Sequence, residues 1–150
     1  MRISTKGRYS ILLMLDMAKQ PSGEPVKIKD IAARSGISMK YMEQIVAVLN
    51  KAGFVRSVRG SQGGYLLARR PEEYTVGEIL RLSEGSLAPV ACLDTGEVCD
   101  RRDKCVTIRL YEEINNAVNS VVDHITLADM MSWDEQAQAA GEAIDTAEKK

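Results

Sequence analysis

Residues 28–51 read IKDIAARSGISMKYMEQIVAVLNK. Two short runs carry apolar residues at helical spacing, Ile31 and Ala32 in the first, Ile45, Val48 and Leu49 in the second. Ser35-Gly36-Ile37 separates them as a tight turn, and Ser38 suits the N-cap of the second run. The pattern predicts a helix over Ile28 to Arg34 and a second from Ser38 to about Lys51, stopped by Gly53. Those are the proportions of a helix-turn-helix, whose second helix enters the major groove of DNA.

Upstream, Ile11, Leu12, Met14, Leu15 and Ala18 predict a helix from Thr5 to Lys19, ended by Pro21, Gly23 and Pro25. Downstream, Phe54–Val58 and Tyr65–Leu67 predict a β-hairpin, the wing at 54–67, with a flexible tip at Arg59–Gly64. A helix from Thr75 or Val76 to Glu84 comes next, and then a loop over 86–105. The expected long helix, about 105–126, carries Tyr111, Ile114, Val118, Val121 and Ile125 at alternating three- and four-residue steps. That is coiled-coil spacing, and a helix of this length in so small a chain is expected to dimerise. Residues 132–150 are expected to form a flexible tail after a single regulator domain over 1–131. The fold class is mainly α with a small β-hairpin: a winged helix-turn-helix plus a dimerisation helix.

The 150-residue chain is 45% hydrophobic, enough for one core, and has no run of apolar residues of transmembrane length. Its first residues lack an apolar leader, so a cytoplasmic protein without membrane association is expected. The formal charge of −1 hides an asymmetry. Residues 1–70 hold 13 Lys+Arg against 4 Asp+Glu, whereas residues 71–150 hold 7 against 17. The first half is therefore suited to a polyanion.

The side chains within that half point the same way. Gln44 can pair with adenine, Glu43 can accept from cytosine, and Lys40 can reach phosphate or guanine. Ser38 and Tyr41 suit phosphates, and Arg59 at the wing tip suits a narrow minor groove. Arg56, Arg69 and Arg70 flank the wing, and Arg2, Lys6 and Arg8 open the first helix as phosphate contacts. The partner is double-stranded DNA, with a pseudo-palindromic operator if the protein is a homodimer.

Cys92, Cys99 and Cys105 fall within fourteen residues. An odd count argues against a disulfide framework. Soft thiolates on an irregular loop suit an iron–sulfur cluster, and the spacing lacks the C-x2-C pairs of structural zinc. Three incidental thiols are an equal alternative on composition alone. Arg101, Arg102 and Lys104 surround the loop and favour thiolate. No C-x-x-C occurs and the single histidine, His124, has no cysteine beside it in sequence, so an enzyme is not expected.

Three stretches together, MRISTKGRY at 1–9, ISMKYMEQI at 37–45 and VRGSQGGYL at 58–66, resemble the Rrf2 family of bacterial regulators over residues 1 to about 131. The resemblance is to its iron–sulfur-assembly (IscR-like) branch, with features of its cysteine-metabolism (CymR-like) branch. It implies a dimeric winged-helix regulator with DNA contacts at Ser38, Tyr41, Glu43, Gln44 and Arg59. It also implies a role for Glu43 in discriminating two classes of site, and a 2Fe–2S cluster held by Cys92, Cys99 and Cys105. The cluster-binding branch has a histidine where this chain has Ile108, and nitric-oxide-sensing relatives use an acidic residue where it has Arg8. The fourth ligand is therefore unknown, with Thr107, Asp103 and Glu112 as local candidates. His124, about five turns along the helix from Cys105, is read as structural. The alternative to a cluster is a thiol-redox or CymR-like regulator of sulfur metabolism, or a nitric-oxide sensor.

Overall fold

A computed structural model describes residues 2–94 and 99–148, with side chains described to residue 141. The segment 95–98, within the expected cluster loop, lies outside the described residues. Helix α1 (Thr5–Ala18) starts at Ser4, whose Oγ accepts from the Gly7 N–H, and buries Leu13, Met14 and Met17. Helix α2 (Ile28–Ser35) ends because Gly36 adopts φ +68°, the left-handed conformation that glycine allows freely. Helix α3 (Met39–Lys51) is capped by Ser38 and buries Met42, Ile45, Val46 and Leu49, with Val48 only half-buried. The helix-turn-helix packs on α1 in one apolar core that also takes Val55, Ile79 and Leu127. Full burial of each such side chain contributes about 1.5–3 kcal/mol.

The hairpin is β1 (Val55–Val58) against β2 (Gly64–Leu67), antiparallel with Val55 opposite Leu67 and Val58 opposite Gly64. A third segment joins it. Val26 and Tyr65 exchange two backbone hydrogen bonds of 2.9 Å, so this residue just ahead of α2 pairs with the wing. The pairing explains the adjacent glycines. A Cβ on Gly64 would lie 2.5 Å from the Val26 carbonyl oxygen, and one on Gly63 would lie 2.2 Å from that of Val58. Fully buried Tyr74 closes the base of the hairpin, donating to the Phe54 carbonyl at 2.6 Å and accepting from the Arg69 N–H at 2.8 Å.

Helix α4 (Val76–Glu84) opens with a reciprocal Thr75–Glu78 capping box. Helix α5 (Ile108–Val122) is shorter than the expected 105–126. The residues after it are drawn into another pairing: Val76 N–H donates to the Ile125 carbonyl at 2.8 Å and Leu127 N–H to that of Tyr74 at 3.1 Å. Ile125 and Val118 pack against the small core of Val76, Leu80 and Leu87, so these two expected seam positions face their own chain. The expected tail at 132–150 is also corrected over 132–148. Helix α6 (Leu127–Glu148) runs through it, started by Thr126 and Asp129 capping one another. The Ala, Glu and Gln that read as featureless polarity are strong helix formers, and Asp134 anchors the helix to Lys19, just past α1, at 2.6 Å.

Candidate nucleic-acid interface and cysteine loop

Burying Met42, Ile45, Val46 and Leu49 turns Lys40, Glu43 and Gln44 outward on one face of α3, because residues three and four apart share a side. All three are exposed and make no side-chain hydrogen bond or ion pair among the described residues. Ser38 is exposed, but its Oγ accepts from the Tyr41 N–H at 3.3 Å, so it caps the helix as well. Half-buried Tyr41 meets Tyr9 of α1 edge to face, with ring centroids 5.8 Å apart. The Arg8 guanidinium lies 6.0 Å from the Tyr9 ring. The start of α1, with Arg2, Lys6 and Arg8, thus adjoins the start of α3.

The wing tip is less free than its glycines imply. Gly63 N–H donates to the Gly60 carbonyl at 3.0 Å, and Lys27 Nζ donates to the Ser61 carbonyl at 3.2 Å. Lys27 is a residue the sequence reading missed, and no local signal marks it. It reaches the tip only because Val26 is paired with Tyr65. Arg59 stays exposed, with no partner among the described residues.

Some first-half cations are spoken for. Arg69 stacks on Tyr74 at 4.3 Å and Phe54 at 5.3 Å, donates to the Glu73 carbonyl and pairs with Glu78. Arg70 pairs with Glu72 and Glu73, and Arg34 with Asp16. Arg69 and Arg70, which flank the wing in sequence, make their contacts at the base of the hairpin. Arg2, Lys6, Arg8, Lys40, Arg56 and Arg59 keep their charges free of ion pairs among the described residues.

Cys92 lies in a short 3-10 turn, Ala91–Leu93, and Cys105 comes directly after another, Arg102–Lys104. All three cysteines are half-buried and outside any disulfide. Arg102 N–H donates to the Cys99 carbonyl at 3.0 Å, which ties the two later cysteines to one turn. Cys105 Sγ lies 3.4 Å from Thr107 Oγ1, and hydrogen bonding from Thr107, side chain first and then backbone, with the Ile108 N–H, holds the thiol below its ordinary range. The expected basic island is not the cause, and Arg102 is paired instead with Glu112 at 2.6 Å.

Thiolate donors suit an iron–sulfur cluster, and half-burial gives the shielding such a group needs. The described residues nevertheless include no group of three or more His, Cys, Asp or Glu gathered around one point. Of the candidate fourth ligands, Thr107 adjoins Cys105, Glu112 is held by Arg102, and Asp103 is exposed. His124 lies beyond the far end of α5, its Nδ1 2.7 Å from the Ser120 carbonyl.

Helix α5 buries none of its residues within the chain. Val118 and Val122 face α4, whereas Leu110 (57% exposed), Ile114 (38%) and Val121 (55%) lie open along the adjoining edge of the same apolar face. Among the described residues, no helix is long and apolar enough to cross a membrane.

Residues 3–132 match the family Rrf2, described as iron-dependent transcriptional regulator. CymR of Bacillus subtilis, an HTH-type transcriptional regulator, is 39% identical over 93% of this chain and 96% of its own. Its structure, that of a global cysteine regulator, superposes with a TM-score of 0.74 over 89% of this chain and 98% of its own. The transcriptional regulator IscR of Escherichia coli is 36% identical over 94% of this chain and 86% of its own. The structure of T. potens IscR is 42% identical, with a TM-score of 0.74 over 92% of this chain and 91% of its own.

Proposed function

Because the chain belongs to the Rrf2 family of transcriptional regulators, DNA-binding proteins rather than enzymes, we propose that it acts in the cytoplasm as a homodimer whose operator affinity responds to a 2Fe–2S cluster on the cysteine loop. The observation that carries the DNA reading is the outward face of α3. Lys40, Glu43 and Gln44 have no internal task there, and Arg59 stands free on a wing tied down by Lys27. Gln44 and Glu43 offer the acceptors and donors that distinguish base edges, while Ser38, Tyr41, Arg2 and Lys6 hold phosphates.

The open Leu110, Ile114 and Val121 stripe on α5 supports pairing with a second copy, which would set two reading heads on half-sites about 34 Å apart or a multiple of that. Cys92, Cys99 and Cys105 would hold the cluster, with the fourth ligand open. When bound, a cluster supplies a redox-sensitive link among segments that are otherwise held by a few backbone bonds. The loop lies between α4 and α5, so ordering it alters the connection between the reading head and the dimer helix. DNA and loop state must then influence one another reciprocally.

The test is purification without oxygen, a visible spectrum, and iron and sulfide counted per chain. Bound 2Fe–2S predicts a coloured protein whose colour is lost on mutating any of the three cysteines. A colourless protein that accepts no iron on reconstitution removes the cluster. A second reading then stands on three half-buried cysteines outside any disulfide, with Cys105 Sγ 3.4 Å from Thr107 Oγ1: a regulator of sulfur metabolism switched by thiol oxidation, with the same DNA-reading face.

A further inference from the structure

The first turn of α1 is held from across the chain, by the last residue of α4. Glu84 Oε1 accepts from the Ser4 N–H at 3.0 Å and from the Ser4 hydroxyl at 2.7 Å. Ser4 is the N-cap, and its Oγ in turn accepts from the Gly7 N–H at 3.1 Å. The carboxylate lies over Gly7, where a Cβ would approach Glu84 Oε1 to 2.2 Å. The neighbouring Ser83 Oγ meets Ser10 Oγ at 2.9 Å, and Ser10 is the one buried polar residue of the core among the described residues. Two consecutive residues of α4 thus grip α1 at Ser4 and at Ser10. Between and beside these points stand Arg2, Lys6 and Arg8.

The placement is electrostatically odd. A carboxylate against the turn that carries Arg2, Lys6 and Arg8 subtracts charge from that end of the helix and repels phosphate. It also covers an amide of a helix N-terminus that would itself attract an anion. A group with only that effect would weaken DNA binding. The hydrogen bonds and the glycine notch supply the compensating role. The geometry assigns Glu84 as a positioning residue for DNA binding: it fixes the Ser4–Gly7 turn so that Arg2, Lys6 and Arg8 meet the phosphate backbone together. The inference rests on the reading of that face as DNA-facing. It also places the grip next to Gly85, where α4 ends and the segment leading to the cysteines begins.

The sign of one substitution decides between the two roles. Positioning predicts that Glu84→Ala weakens operator binding about tenfold and lowers the slope of log affinity against log salt by about 1–2, as one or two phosphate contacts are lost. Charge alone predicts tighter binding. Glu84→Gln keeps the acceptor oxygen, and under the assignment it restores affinity to near wild type.

Gly7→Ala provides a variant that leaves the fold intact, since alanine favours the helix while its methyl evicts the mobile carboxylate. It is expected to reproduce the Glu84→Ala slope with undiminished thermal stability. Lys6→Ala with Arg8→Ala is the control for the face. If this pair leaves the slope unchanged, the DNA-facing reading fails and the assignment fails with it. If the pair flattens the slope while Glu84→Ala and Gly7→Ala do not, or if Glu84→Ala tightens binding, only the assignment to Glu84 is overturned. Equal losses in Glu84→Gln and Glu84→Ala also overturn it.

Discussion

Arg81 and Asp123 meet across the space that Gly77 leaves open. Arg81 donates to both Asp123 oxygens, at 2.6 and 2.9 Å, and to Asn119 Oδ1 at 2.8 Å. A Cβ on Gly77 would stand 2.0 Å from Asp123 Oδ1. This contact fixes the end of α5 on α4 and so joins the expected dimer helix to the reading head. Gly77→Ala is expected to push the Asp123 carboxylate and Arg81 apart, at a cost of no more than the roughly 1 kcal/mol of an exposed pair and offset by the helix preference of alanine. Calorimetry should therefore show a Tm within about 4 °C of wild type.

The same pair has a pH signature. The Arg81 hydrogen bonds hold the Asp123 carboxyl below the usual carboxylate range. A depressed acid contributes its full stability above its unfolded pKa and loses it as pH falls through the folded one. Both side chains are over one-third exposed, so the contribution is under about 1 kcal/mol. Thermal melts of Asp123→Asn should fall less steeply than wild type in acid and match its slope near neutrality.

Gln44 faces outward without a partner among the described residues, so Gln44→Ala should leave stability unchanged. It should weaken specific binding by about 1–3 kcal/mol and relax one base position in an operator panel. Arg102→Ala, which removes a pair with Glu112, should leave DNA affinity within twofold, or about 0.4 kcal/mol. Unchanged operator affinity in the Gln44 variant excludes the groove assignment.

The wing depends on Val26. Gly64→Ala places a Cβ 2.5 Å from a backbone oxygen that cannot rotate away, so the Val26–Tyr65 bridge must open. Operator affinity should fall with the helices retained by circular dichroism. Lys27→Met, which leaves the bridge intact, should weaken binding less and selectively at the Arg59 end of each half-site. Footprinting distinguishes the two losses.

Cys105 and Thr107 make a reactivity prediction that is independent of any cluster. The thiol is lowered by Thr107 and the first amides of α5, so its thiolate persists to lower pH. Iodoacetamide should modify Cys105 in reduced, iron-free protein with a pH midpoint that moves upward in Thr107→Val. An unchanged midpoint would remove Thr107 as the cause.

The open α5 stripe can be tested by association. Val121→Glu, at a position 55% exposed on the open edge of that face, should convert a dimer to monomer in sedimentation without loss of helix content. A wild-type protein that sediments as a monomer at micromolar concentration would exclude the pairing.

The helix-turn-helix was legible because its determinants are local. Periodic apolar residues, Ser38 as a cap and Gly36 as a left-handed stop each act within one or two turns of chain. The outward set Lys40, Glu43 and Gln44 derives from the same periodicity. The seam on α5 was legible only as a single apolar face, since Val118, Ile125, Ile114 and Val121 are alike in composition and spacing. Packing on α4 assigned the first two inward. The tail was misread because polar, alanine-rich sequence has no amphipathic stripe, and its helix is anchored at one end through Thr126, Leu127 and Asp134.

By itself the sequence determined the reading head, its charge and the cluster of thiols, because these depend on neighbours in the chain. Tertiary structure decided which charges are free. Arg34 and Arg69 look like Arg56 and Arg59 in the row, yet the first two are paired with carboxylates brought near by folding, Asp16 and Glu78. It also decided why Gly7, Gly64 and Gly77 are glycine: in each case an oxygen from a distant segment occupies the place of a side chain, and only the folded chain brings the two together.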